Sequence, residues 1–295
     1  MNILITGCNG QLGNEMQVLA RQHTAHRYYF TDINVEPATD GPDRVFDRLD
    51  ITDQTAVDTF VGTHGIQCIV NCAAYTAVDK AETNEELAHL LNATAPGYLA
   101  QAVARRGGQM VQISTDYVFD GTAHTPYTED RSTCPDSAYG RTKLAGEQAV
   151  LSACSNAVVI RTAWLYSTFG NNFVKTMMRL GREKDTLGVI FDQIGTPTYA
   201  RDLARAIFAA IQQPRPAGIY HFSNEGVCSW YDFALAIHRM AGIDTCHVKP
   251  LHTSEYPTPA SRPHYSVLDK TKIKETLGIA IPHWEDSLSE CISLL

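Results

Sequence analysis

Short apolar runs alternate with helical stretches from the first residues of the chain. Asn2–Thr6 is a near-continuous apolar run, as a strand buried on both faces requires. Further strands are predicted at Arg27–Thr31, Gln67–Asn71, Gln109–Ser114 and Ala157–Arg161. Helices are predicted over Gln11–Gln22, Asp53–Thr63, Asn84–Arg106 and Ser137–Ala153. Thr52 is the expected N-cap of the second helix, and Pro96 a candidate break in the third. Strand, helix and short connection in rotation predict right-handed crossovers and a parallel sheet covered on both faces. The expected fold class is therefore α/β, a Rossmann-like doubly wound parallel sheet.

After about Leu165 the rhythm is less regular. Thr258–Pro263 reads as a loop between helical stretches. No Gly- or Ser-rich linker sets this part off, which predicts a smaller interleaved lobe over the C-terminal edge of the sheet. The expected division is a dinucleotide-binding region over 1–165, completed by parts of 186–222. The lobe, expected to bind substrate, takes 166–185 and 223–295.

Composition narrows the function classes. The 295 residues carry a net charge of −8 and no basic run, which disfavours a nucleic-acid partner. No apolar stretch approaches the length of a membrane span. The eight cysteines form no C-x-x-C pair, and the chain enters its first strand without a charged leader. Both features predict a cytoplasmic protein with reduced thiols. The 11 histidines show no H-E-x-x-H spacing, which disfavours a transition-metal site.

The first strand ends in Gly7-Cys8-Asn9-Gly10-Gln11-Leu12-Gly13, a G-x-x-G-x-x-G loop opening a helix. Such glycines let backbone approach a pyrophosphate, and the helix N-terminus favours the negative charge. Gly7, Gly10, Gln11, Leu12 and Gly13 are candidate dinucleotide contacts. Asp32 ends the second strand, where a carboxylate can bond an adenosine ribose; a turn-forming acid before Asn34 is the alternative. Asp50 and Ile51 are candidates beside adenine, with a helix-start acid as the plain reading of Asp50. Ala73, Ala74 and Tyr75 end another strand, and the two alanines are small enough for a cofactor to lie on their backbone. NADH and NADPH both remain open.

Tyr139 and Lys143 stand four apart at a helix start, which puts them on one face. The ammonium is expected to lower the phenol's pKa and to hold a nicotinamide ribose; the phenol is then a general acid. Thr115, preferred over Ser114, closes a strand and offers a hydroxyl to a substrate carbonyl. Its alternative is a strand-end cap.

Several longer runs, among them Ser114–Gly121, Ala73–Asp79, Arg161–Tyr166, Asp192–Thr198 and Arg262–Leu268, resemble the dTDP-4-dehydrorhamnose reductase family of extended short-chain dehydrogenases. The resemblance covers nearly the whole chain. It implies NADPH- or NADH-dependent reduction of the 4-keto group of a dTDP-linked deoxysugar. It also implies catalysis by Thr115, Tyr139 and Lys143, sugar contacts from Asp116 and Trp164, and a diphosphate contact from Arg262. Trp164 reads equally as core. Some members of the family are said to dimerise around magnesium, with Glu15, Asp192 and Glu285 as candidates here, although a solvated face is the preferred reading of all three. Two rivals stand beside this: an epimerase or dehydratase, and a non-catalytic partner resembling the methionine adenosyltransferase β subunit. A dehydratase would carry a second carboxylate where Tyr117 follows Asp116.

Overall fold

Ile3, Leu4 and Ile5 are wholly buried, and they divide between opposite faces of one sheet: Ile3 and Ile5 to one side, Leu4 to the other. The same alternation sends Tyr28 and Phe30 one way and Tyr29 the other. A sheet with two apolar faces needs helices on both. The computed structural model, which describes residues 1–212 and 217–295, supplies them.

In chain order the first half contains β1 (Asn2–Thr6), α1 (Gln11–Ala20), β2 (Arg27–Asp32), β3 (Ala38–Thr39), β4 (Arg44–Arg48), α2 (Gln54–Thr63) and β5 (Cys68–Asn71). It continues with α3 (Val78–Ala81), α4 (Glu85–His89), α5 (Ala95–Ala104), β6 (Gln109–Thr115), α6 (Ala138–Ala153) and β7 (Ala157–Thr162). Then come β8 (Leu165–Tyr166), α7 (Phe173–Glu183), β9 (Thr186–Ile190), β10 (Ile194–Gly195), β11 (Thr198–Tyr199) and α8 (Ala200–Gln212). The chain ends through β12 (Gly218–His221), β13 (Cys228–Ser229), α9 (Trp230–Met240), β14 (His247–Leu251), α10 (Thr271–Leu277) and α11 (Trp284–Ser293).

Eight strands form the main sheet in the order β12-β7-β6-β5-β1-β2-β4-β3. Every neighbouring pair is parallel except β3 with β4. This is the expected doubly wound arrangement. The strand order reverses between β1 and β5, so a crevice opens at their C-terminal ends. Helices α1, α8 and α10 cover one face; α2, α5 and α6 cover the other. A third core lies apart from the sheet, where α7, α9 and α11 pack through Val174, Phe233, Ile237, Trp284 and Leu288. Around it β8 pairs with β11, β9 with β14 and β10 with β13. Thus β12 and α8 return to the main sheet while β9 does not.

Two local expectations are corrected. The N-cap of α2 is Asp53, whose carboxylate accepts the Ala56 N–H at 3.0 Å, and not Thr52. The Thr52 hydroxyl instead donates to Asp50 at 2.7 Å. Pro96 does not interrupt its helix. The helix runs from Glu85 to Ala104, with Leu90–Thr94 widened into a π turn. Pro96 has no N–H to give the Asn92 carbonyl, and the wider turn absorbs that missing bond. The freed carbonyl packs against Gly146 of α6, where any Cβ would collide with it.

Close backbone packing leaves the glycine loop no room for side chains at Gly7 and Gly13. Gly7 has φ +65°, and a Cβ there would lie 2.6 Å from the Ala73 nitrogen. A Cβ on Gly13 would lie 2.6 Å from the Cys8 Cα and would also overlap the Gly7 carbonyl. Backbone cannot yield as a flexible side chain does. Gly13→Ala should therefore cost roughly 1–3 kcal/mol in urea denaturation. Asp53→Ala, which only uncaps α2, should cost about 1 kcal/mol. A Gly13→Ala protein as stable as the parent would show that the loop gives way.

Candidate active site

Ser137 starts α6 by accepting the Gly140 N–H on its hydroxyl at 3.1 Å. From there Tyr139, Lys143 and Glu147 fall on one stripe, four residues apart. Glu147 is 1% exposed and anchors the stripe to the sheet. Its carboxylate accepts from Arg161 Nε at 2.9 Å and Nη2 at 2.7 Å, and also from the Ser114 hydroxyl. Ser114 is therefore spent on structure. The next hydroxyl, Thr115, sits at the C-terminal end of β6, close enough to the Tyr139 phenol to lower its pKa. It donates to Asp116 Oδ1 at 2.9 Å and accepts the Tyr117 N–H at 3.2 Å. The strand-end capping reading and the position beside Tyr139 are thus both realised in one residue.

Burial dominates the titration of this cluster. The Tyr139 phenol is pushed up from 10 to about 12 by desolvation, helped by the Asp116 carboxylate and opposed by Thr115. The expectation that Lys143 lowers this phenol is corrected. The Lys143 amine is itself 3% exposed and donates to the Ile113 carbonyl at 2.6 Å. Desolvation brings that amine down from 10.5 to about 8, with Glu147 holding it from falling further. Asp116 is also driven up by burial, to about 6, against the pull of its hydrogen bonds. At neutral pH the site therefore holds a protonated phenol, a mostly charged amine and a mostly ionised carboxylate.

The crevice fits a dinucleotide. Gly10 is the N-cap of α1 and offers no side chain to its first N–H groups. Gly7 and Gly13 keep the loop flat against β5 and α1. Leu12 points into the core below, and the Gln11 amide oxygen accepts from Asn172 Nδ2 at 2.9 Å, tying the loop to the start of α7. Asp32 receives the Asn9 and Asn34 N–H groups at 3.3 and 3.4 Å, so it faces the glycine loop while also closing its own turn. The register sets Arg48 beside it, exposed and in no ion pair among the described residues. The Asp50 carboxylate is taken by Thr52, its N–H at 2.9 Å, and Ile51 is buried. Ala73, Ala74 and Tyr75 are half-buried at the end of β5. Tyr75 joins the small apolar cluster that holds Tyr139, and its backbone is clamped by Asn92.

On the lobe side, Asp116 Oδ2 and Arg262 Nη1 are buried polar atoms with no hydrogen-bond partner among the described residues. Arg262 lies beside the Tyr117 phenol and offsets part of its burial-driven rise. Tyr117 in turn packs edge-on to Tyr139, ring centres 5.5 Å apart. Trp164 has φ +48°, a left-handed backbone that costs a non-glycine residue about 1–2 kcal/mol. It is half-buried and stacked on Trp230 at 3.6 Å. Gly195 leaves it room, since a Cβ there would meet the indole at 2.7 Å.

Within one chain the three magnesium candidates are engaged in separate contacts. Glu15 is fully buried, bonded to Ser167 at 2.7 Å and Arg201 at 2.8 Å, which corrects its placement on a solvated face. The packing of α8 against α1 brings Arg201 to it. Asp192 caps Thr253 and Glu285 pairs with Arg239. Among the described residues no three His, Cys, Asp or Glu are grouped to hold a metal. Glu147, Asn92 and Trp230 also support the site and belong to none of the motifs named above. Only Glu147 had a visible signal, the continuation of the i, i+4 stripe.

Comparison with known proteins covers the whole chain. The family model described as RmlD substrate binding domain matches residues 1–295. A probable dTDP-4,6-dihydroxy-2-methyloxan-3-one 4-ketoreductase of Streptomyces antibioticus is 43% identical, covering 98% of this chain and 94% of its own. The solved dTDP-4-dehydrorhamnose reductase of Clostridium acetobutylicum is 44% identical with a TM-score of 0.90, covering 100% of this chain and 99% of its own. That of Bacillus anthracis, in complex with NADP, is 36% identical with a TM-score of 0.88 over 100% and 99%. The hydroxyl, phenol and amine at the glycine-lined crevice are thus set in a chain that belongs to the RmlD substrate-binding-domain family.

Proposed function

We propose that this protein reduces the 4-keto group of dTDP-4-dehydro-L-rhamnose to give dTDP-L-rhamnose, using NADPH or NADH. The observation that carries the reading is the convergence of Thr115, Tyr139 and Lys143 beside the glycine-lined crevice. The bound reduced nicotinamide supplies the hydride. Thr115 holds the ketone oxygen, and Tyr139 gives it a proton as the alcohol forms. A phenol that stays protonated to about pH 12 is in the right state for an acid. Lys143 would hold the nicotinamide ribose, leaving the Ile113 carbonyl to do so. Asp116 and Arg262, with their unpartnered atoms, would take the sugar and the diphosphate. Trp164 shapes the sugar pocket from its stack on Trp230.

The ribose edge offers one carboxylate, Asp32, and one guanidinium, Arg48, side by side. That pair suits either cofactor: the acid bonds a 2′-hydroxyl, the arginine a 2′-phosphate. A dehydratase is disfavoured because Tyr117 stands where a second acid is needed, packed on Tyr139. A cytoplasmic setting is supported by eight free thiols, most of them buried. Among the described residues no helix is long and apolar enough to cross a membrane. A homodimer is the assembly the family resemblance suggests, and sedimentation would read it.

The test is to mix protein, dTDP-4-dehydrorhamnose and each reduced cofactor, then follow absorbance loss and identify the sugar. Stoichiometric oxidation to dTDP-rhamnose is expected. Turnover only with another dTDP-linked 4-ketosugar, in line with the Streptomyces relative, would redirect the substrate assignment. No net oxidation would sink the reductase. Tyr139→Phe should cut kcat at least about 100-fold while NADPH still binds. Lys143 is a cation below about pH 8 and neutral above it. NADPH affinity should therefore fall as pH rises through that value, and a flat titration would remove the cation from cofactor binding.

A further inference from the structure

Asp79 closes the Ala73–Asp79 run and lies in the first turn of α3. Its carboxylate is aimed at the lobe. Oδ1 accepts the Ala260 N–H at 3.2 Å and Oδ2 accepts Arg262 Nη2 at 2.8 Å. Both partners belong to the loop 258–263, far along the chain. The same loop is pinned a second time where Pro263 packs on Gly121, and Tyr265 N–H reaches the Gly121 carbonyl at 3.1 Å. One carboxylate thus joins the segment after β5 to the segment carrying Arg262.

Stability does not account for this contact. The Asp79 and Arg262 side chains are 41% and 21% exposed, and ion pairs that open to water add little to folding. The geometry has another consequence. With Nη2 engaged by Asp79, the guanidinium plane is set, and Nη1 is left buried and unbonded among the described residues. An arginine held this way has lost its rotamer freedom before the ligand arrives, so binding no longer bears that cost.

We propose that Asp79 is a positioning residue. It presents Arg262 Nη1 to the substrate's diphosphate, setting affinity for the nucleotide half without touching the reacting atoms. The inference rests on the reading of Arg262 as the diphosphate contact. Its test separates the two. Calorimetry with dTDP is run on the parent, Asp79→Asn, Arg262→Ala and the double variant, with NADPH binding and thermal melting as controls. Asp79→Asn should weaken dTDP about 10-fold, raise KM for the sugar nucleotide similarly and change kcat less than about 2-fold. NADPH affinity and melting should not move. In the Arg262→Ala background the Asp79 effect should vanish. Asp79→Glu, which keeps the charge, should recover most of the lost affinity.

If Arg262→Ala leaves dTDP binding unchanged, the diphosphate reading falls and the clamp with it. If Arg262→Ala weakens dTDP but Asp79→Asn binds it as well as the parent or better, the clamp alone is overturned. An equal Asp79 effect in both backgrounds also overturns it, because the carboxylate would then act by another route.

Discussion

Glu147 and Arg161 form an ion pair whose side chains are 2% and 3% exposed, wedged between α6 and the sheet. Breaking such a pair leaves an uncompensated buried charge, a loss of about 3–5 kcal/mol. The pair therefore fixes which face of α6 meets β6 and β7. Once that face is fixed, Lys143 and Tyr139 follow at one and two helical turns, and Tyr139 arrives at the end of β6 where Thr115 waits. The same carboxylate occupies Ser114, so the choice between two adjacent hydroxyls is made by structure. Arg161 extends the network over the Phe119 ring and toward His221, whose burial keeps it neutral.

Desolvation is the second constraint. Lys143 and Asp116 are buried and Tyr139 is half-buried, and desolvation shifts each toward its neutral form. Pairwise attraction between the amine and the phenol is the weaker influence. For a reductase this order is useful. A phenol that keeps its proton is ready to donate it, and an amine that is still charged at neutral pH is able to hold a ribose. Among the described residues Asp116 Oδ2 and Arg262 Nη1 have no hydrogen-bond partner, as the proposed contacts to sugar and diphosphate require.

Much of the active-site architecture was legible in the chain because its signals are local. The buried strands announce themselves as apolar runs, and the glycine loop and the i, i+4 spacing of Tyr139 and Lys143 are short-range patterns. Where structure departs from the local pattern, the cause is local too. Thr52 and Asp53 are both good caps, and which one serves depends on Asp50 capturing the Thr52 hydroxyl. Pro96 is a helix breaker in general, and here a π turn with room beside Gly146 absorbs it.

The sequence alone determined the doubly wound α/β class and offered the glycine loop, the phenol and the amine as candidates, since hydrophobic period and short motifs encode these directly. Only the tertiary structure decided that Glu15 is buried against Arg201, that Ser114 is unavailable, that Trp164 stacks on Trp230 in a left-handed backbone, and that Asp79 reaches Arg262. Each of these is a contact between residues distant in the chain or a competition for one hydrogen-bond partner. Such outcomes depend on which surfaces packing brings together, and no local pattern records them.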